Sequence, residues 1–354
     1  MKHASVWLGF VVAVTGFVAA CGDDESGGGG GAGTPGSAGF AGAIAAGSGG
    51  GGASAGTSSG AAGAAGTTAG APSAGSAGAS GSATAGGAGT AGAPNAGSGG
   101  SPEPMSTMGC GATSWPKGDQ SYTLDVDGVA REYIVSLPAS YDTNRPYRLV
   151  FAWHGRTGTA TQIARNFYGL KTRGADSAIF VAGQGLGTDA DPADTGWPNT
   201  NGRDVAFVRA LVTWMSSNYC VDATRIFSVG FSYGGIMSHT LGCQMGDVFR
   251  AIAPIAGASF GGGRGGTMCT GPVAAWMAHG SADDQVTLMQ GVTARDRWLT
   301  QNGCAQTTAP TMPSPCVAYD GCSAGHPVHW CEHTGGHTIP SFAAEGIWNF
   351  FTQF

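Results

Sequence analysis

A serine at the tip of a glycine-framed turn is the first group in this chain with the setting for covalent chemistry. Gly230-Phe231-Ser232-Tyr233-Gly234 reads G-x-S-x-G. It follows the apolar, partly β-branched run Arg225-Ile226-Phe227-Ser228-Val229 and precedes a helical pattern that runs through Leu241. A strand turning sharply into a helix holds such a serine in a strained backbone geometry with its hydroxyl projecting above the sheet. Side chains at 230 and 234 would collide with the adjoining strand or helix, so glycine is needed at both. The serine also stands at the positive end of the helix, where the free N–H of Tyr233 can meet a developing oxyanion. A nucleophilic serine needs a base within hydrogen-bond reach and a carboxylate that fixes the tautomer of that base. On a parallel sheet of this kind the partners follow in the order serine, acid, histidine. They do so here. Asp283 and Asp284 come just past a strand ending near Met277, and His337 sits in the glycine-rich loop Thr334-Gly335-Gly336-His337-Thr338 before a closing helix.

The elements that must position these groups can be read from apolar periodicity. Tyr122-Thr123-Leu124-Asp125-Val126 and the segment 131–137 alternate with period two around Asp127-Gly128, which predicts a hairpin. The run 147–153 is almost continuously apolar, as a strand covered on both faces should be, and leads into His154-Gly155-Arg156. A helix is expected over 161–172, a buried strand over 178–182, and a helix over 204–219 with Val205, Val208, Leu211, Val212 and Met215 on one face. Further strands are expected at 251–255, 273–278, 317–319 and 328–333, and helices at 286–301 and 342–351. Strands alternating with helices after an N-terminal hairpin give an α/β fold, a mostly parallel sheet with helices on both faces. The loop 183–202 is long for a compact domain, which marks it as functional. Trp197 on that loop is the expected aromatic contact for substrate.

The rest of the chain is of a different kind. Lys2, the apolar run 6–18 and Val18-Ala19-Ala20-Cys21 read as an export leader over 1–20, too short to span a bilayer permanently. The ending resembles a lipobox, which would make Cys21 a lipidation site; plain secretion is the alternative. The chain has nine cysteines, an odd number for an oxidising compartment. Assigning Cys21 to lipid leaves the even set 110, 220, 243, 269, 304, 316, 322 and 331, enough for four disulfides. A short bridge among 304, 316 and 322 is expected, and one from Cys331 would brace the loop bearing His337. Residues from 21 to 109 are almost wholly Gly, Ala, Ser and Thr, a tether with a coil reach on the order of 50 Å. The folded domain is expected over 110–354. The net charge of −6 offers no basic stripe for nucleic acid. His329, Cys331 and His333 share one strand face, the residue types and spacing of a zinc site; disulfide formation is the competing use of the cysteine.

From Cys110 to Phe354 the chain resembles the feruloyl esterase and polyhydroxybutyrate-depolymerase-like group of secreted α/β-hydrolases, which also includes acetylxylan esterases. The resemblance rests on Gly202-Arg203-Asp204-Val205, Cys220-Val221-Asp222, the 230–237 elbow, Phe249-Arg250-Ala251-Ile252-Ala253-Pro254, His279-Gly280-x-x-Asp283, Asn302-Gly303-Cys304, Gly321-Cys322-Ser323 and Gly335-Gly336-His337-Thr338. It implies Ser232 as nucleophile, Asp283 as orienting acid and His337 as general base, with Asp284 the rival acid. It also implies an oxyanion hole made by the N–H groups of Tyr233 and Arg156. His154 and His279 then read as structural turn residues. The implied activity is hydrolysis of a polysaccharide-linked ester by a monomer that needs no cofactor, no metal and no nucleic acid, and that meets a membrane only through a lipid anchor. Feruloyl esters on xylan lead, with acetyl groups and hydroxybutyrate polyester as alternatives. A binding protein that keeps the fold without the chemistry would have lost part of the constellation, and here all three members are present.

Overall fold

The computed structural model describes residues 103–112, 115–188, 190–259 and 269–354. The leader, Cys21 and the tether up to residue 102 lie outside the described residues. The last residues assigned to the tether do not: Thr107 N–H donates to Val221 O, Ala223 N–H to Met105 O and Gly109 N–H to Ser216 O. The packed part thus begins a few residues before Cys110. Among the described residues no helix is long and apolar enough to cross a membrane.

The hairpin is β1 (Gly118–Val126) and β2 (Val129–Leu137), turned by Asp127 and Gly128 at φ 54° and 80°. The remaining strands are β3 (Tyr147–Trp153), β4 (Ala178–Gly183), β5 (Val221–Phe231), β6 (Ala251–Ile255), β7 (Ala274–Gly280), β8 (Thr308–Pro310), β9 (Cys316–Tyr319) and β10 (Val328–His333). They form one sheet in the order β1-β2-β4-β3-β5-β6-β7-β10-β9-β8. The six strands from β4 to β10 are mutually parallel, and the strands beyond them at both edges pair antiparallel. Parallel strands need both faces covered. Alternation along β3 shows how this is met: Val150 and Ala152 face one apolar layer, while Leu149, Phe151 and Trp153 face the other. The first layer holds α1 (Ala160–Ala164), α2 (Leu170–Arg173) and α6 (Ala343–Phe351). The opposite face is covered by α3 (Arg203–Asn218), α4 (Tyr233–Gln244) and α5 (Leu288–Gln301).

One element departs from expectation. The single helix over 161–172 is two short helices, because Phe167, Tyr168 and Gly169 adopt φ 49°, 60° and 80°. The break carries the Tyr168 hydroxyl under the sheet edge, where it donates to Trp153 O at 2.6 Å and accepts from Phe231 N–H at 3.2 Å. One partly buried tyrosine therefore ties the ends of β3 and β5 together beside the serine turn. The short edge strand β8 was not legible in the sequence, and its three residues are all exposed.

Candidate active site

Ser232 follows β5 directly, at φ 57° and ψ −118°, and caps α4. A non-glycine residue in that region costs on the order of 1–3 kcal/mol and needs surroundings that over-determine it. Those surroundings are backbone. Ser232 N–H donates to Ile255 O at 2.9 Å, and Ile236 N–H returns to Ser232 O at 2.9 Å. A Cβ at Gly230 would come within 2.2 Å of Gly234 O, and one at Gly234 within 2.0 Å of Trp153 O. The two framing glycines thus let β3, β5 and α4 approach closely enough to force the serine outward.

Asp283 and His337 follow the carboxyl ends of adjacent parallel strands, with His333 of β10 opposite Gly280 of β7. Their loops interlock: Ser281 N–H donates to His333 O and Ala282 N–H to Gly335 O. This brings His337 Nδ1–H onto Asp283 Oδ2 at 2.8 Å. The other oxygen, Oδ1, accepts the N–H groups of Gln285 and Val286, each at 2.9 Å. Burial pushes the Asp283 carboxyl up, but the bonds from His337, Val286 and Gln285 outweigh it, and its pKa lies below the usual carboxylate value. Asp284, the rival, is exposed. The His337 ring packs on Phe231 with centroids 4.8 Å apart, which sets it beside the residue before Ser232. Among the described residues no hydrogen bond joins the Ser232 hydroxyl to His337. Catalytic bonds of this kind commonly tighten only once substrate is bound.

Arg156 and Tyr233 line the same cleft as Ser232. Gly155 lies against the serine, so that a Cβ there would be 3.6 Å from Ser232 Cβ. Among the described residues the backbone N–H groups of Arg156 and Tyr233 have no internal acceptor. A cleft of about 450 Å³ opens over Ser232, lined by Tyr233, Ile236, Val286 and Gln285 together with Arg156, Thr188 and Asp194.

His154 and His279 are both buried and serve the scaffold. His154 Nδ1–H donates to Gly155 O at 2.7 Å while its Nε2 accepts from Gly185 N–H at 2.9 Å, and burial lowers its pKa. His279 Nε2–H donates to Val286 O at 2.7 Å and stands 3.6 Å from Asp283 Oδ2, so it holds the acid-bearing loop from beneath.

Trp197 corrects an expectation. It is 2% exposed, donates its indole N–H to His154 O at 2.9 Å and packs edge-on to Trp153. It supports the strand end rather than touching substrate; loop position signalled access, but the indole found a backbone acceptor inside. Val286, Gln285, Thr188 and Asp194, which do line the cleft, carried no motif that sequence reasoning could use. The zinc grouping also dissolves. Cys331 is bonded to Cys316, and burial pushes His329 down to about 4 on the face packed against Phe350. The other bridges join Cys110 to Cys220, Cys243 to Cys269 and Cys304 to Cys322, the last being the short-range bridge expected.

Residues 182–262, which include the serine elbow, match the prolyl oligopeptidase family. Feruloyl esterase D of Neurospora crassa is 35% identical over 273 residues, covering 70% of this chain and 90% of that protein. Feruloyl esterase C of Emericella nidulans is 35% identical over 237 residues, covering 62% and 83% respectively. Among solved structures, the acetyl xylan esterase from Aspergillus awamori superposes with a TM-score of 0.50 at 15% identity, covering 66% of this chain and 99% of that one, a likeness of fold.

Proposed function

Since this chain belongs to the feruloyl esterase family, we propose that it is a serine carboxylesterase that releases feruloyl groups from xylan through an acyl-enzyme. In this reading Ser232 is the nucleophile and His337 Nε2 takes its proton. Asp283 holds Nδ1–H and stabilises the imidazolium that forms. The carbonyl oxygen, negative in the tetrahedral intermediate, is met by the N–H groups of Tyr233 and Arg156, each such donor being worth about 3 kcal/mol. Collapse expels the sugar alkoxide, which His337 protonates. Water then attacks the acyl carbonyl as His337 takes its proton, and collapse breaks the bond to Ser232 Oγ, which regains that proton from His337 as the acid leaves. The observation that supports this most is the 2.8 Å bond from His337 to a buried carboxylate beside the strained serine turn.

The cleft bears on the acyl group. In this reading the cleft bounded by Ser232, Tyr233 and Ile236 takes the acyl group. About 450 Å³ between Tyr233, Ile236 and Val286 exceeds what an acetyl group fills and suits a flat aromatic acid. Export and anchoring through Cys21 belong to the same proposal; four disulfides fit an oxidising compartment. The test is a comparison of purified protein on methyl ferulate, acetylated xylan and hydroxybutyrate polymer, with Ser232→Ala alongside. Methyl ferulate should be turned over fastest and the variant should be inactive. Activity that survives the substitution would remove the mechanism, and preference for acetylated xylan would remove the substrate.

A further inference from the structure

The loop 183–202 and the loop 154–158 are joined at several points. His154 accepts from Gly185 N–H, Trp197 donates to His154 O, Thr157 N–H donates to Thr195 O at 2.7 Å, and Thr195 Oγ1 donates to Gly158 O at 3.2 Å. All four involve a backbone group or a buried ring. A further link is ionic: the Arg156 guanidinium grips Asp194 with both arms, Nε to Oδ1 at 2.6 Å and Nη2 to Oδ2 at 2.7 Å. The Arg156 side chain is 69% exposed, whereas Asp194 is 17% exposed and set in the longer loop by the Asp191–Asp194 turn. Arg156 is also the residue whose peptide N–H is free beside Ser232, and both members of the pair line the cleft.

We propose that Asp194 is a positioning residue for the oxyanion hole: the peptide that carries the Arg156 N–H is held at its Gly155 carbonyl by His154 Nδ1–H and Gly158 N–H, and by gripping the Arg156 side chain Asp194 restrains the other end of the same unit, so that the N–H stays aimed at the reacting carbonyl. This rests on the reading of Ser232 as nucleophile. A forked guanidinium–carboxylate pair defines a plane as well as a distance, which a single hydrogen bond does not. An exposed pair adds little to folding, so its effect should fall on the geometry of the peptide it restrains. The direction of the N–H matters because an oxyanion donor contributes only when aimed at the charge that develops.

The experiment compares wild type with Asp194→Ala and Asp194→Glu on methyl ferulate and on methyl cinnamate, which lacks the ring hydroxyl and methoxyl. Asp194→Ala should lower kcat about tenfold on both esters, part of the 10²–10³ that loss of a whole donor costs, with KM within about twofold of wild type. Asp194→Glu should restore most of the loss. Raising NaCl towards 1 M should lower kcat of the wild type and leave Asp194→Ala flat, since only the former has this pair beside the cleft to screen. Unchanged kcat in Asp194→Ala overturns the proposal. So does a loss confined to methyl ferulate or carried by KM, which would make Asp194 a substrate contact. Ser232→Ala run in parallel separates the two levels: if it stays active the reading of the site falls, and if it is dead while Asp194→Ala is normal only the positioning role falls.

Discussion

At the scale of single residues, the site turns on how Asp283 is kept ionised. Its oxygens take three donors, the N–H groups of Gln285 and Val286 on one and His337 Nδ1–H on the other. Because its pKa is held below the usual carboxylate range, Asp283 stays charged through the whole window in which a histidine titrates. The acid limb of kcat/KM should therefore be a single inflection, with none from Asp283. A second inflection above pH 4 would contradict this. Asp283→Asn keeps the size of the side chain but offers an amide to Nδ1, which favours the wrong tautomer. A fall in kcat of roughly 10³–10⁴ is expected with the fold intact, checked by steady-state kinetics beside a circular dichroism spectrum. The equivalent change at the exposed Asp284 should leave kcat within about twofold.

At the scale of elements, Tyr168 links backbone distortion to the serine turn. Its hydroxyl joins Trp153 O and Phe231 N–H, and three consecutive residues with positive φ are needed to bring it there. Tyr168→Phe should lower unfolding free energy by about 1–3 kcal/mol, the cost of two weakened backbone groups. It should lower kcat several-fold with little change in KM, because Phe231 both precedes Ser232 and packs on His337. Denaturant unfolding and Michaelis kinetics on the same preparation check this; a stability loss without a kcat loss would make Tyr168 merely structural. The same element shows what the sequence could and could not reveal. Apolar alternation in β3 and the glycines of the elbow are local signals, so strands and serine turn were legible from their own residues. The break at Phe167 is decided by a hydrogen bond to strands that lie elsewhere in the chain, and Trp197 by an acceptor on His154. Such tertiary choices leave no periodic trace. Between the neighbours 283 and 284 the motif spacing favours Asp283, and in the fold it is the Asp283 carboxylate that meets His337.

At the scale of the whole molecule, the buried histidines link stability to pH independently of the reaction. Burial holds His329 at about 4 and His239, whose Nδ1 accepts from the Trp298 indole, at about 3; His154 is lowered for the same reason. In the unfolded chain each would take its proton near pH 6.5. Between that value and the folded one the unfolded state binds more protons, so stability is full above about pH 6.5 and falls as pH falls. For His239 and His329 together the loss is roughly 5 kcal/mol by pH 4.5, at about 1.4 kcal/mol per histidine per pH unit. That is comparable with the whole stability of an ordinary domain. The four disulfides constrain the unfolded chain at every pH and carry no titrating group, so they raise this curve without altering its slope. The melting temperature should thus be level above neutrality and drop steeply below pH 6. His329→Leu, which replaces the ring against Phe350 by an apolar group, should remove close to half of the slope contributed by this pair. Calorimetry of wild type and variant from pH 7.5 to 4.5 measures it. If both lose stability along the same curve, His329 is not what acid attacks.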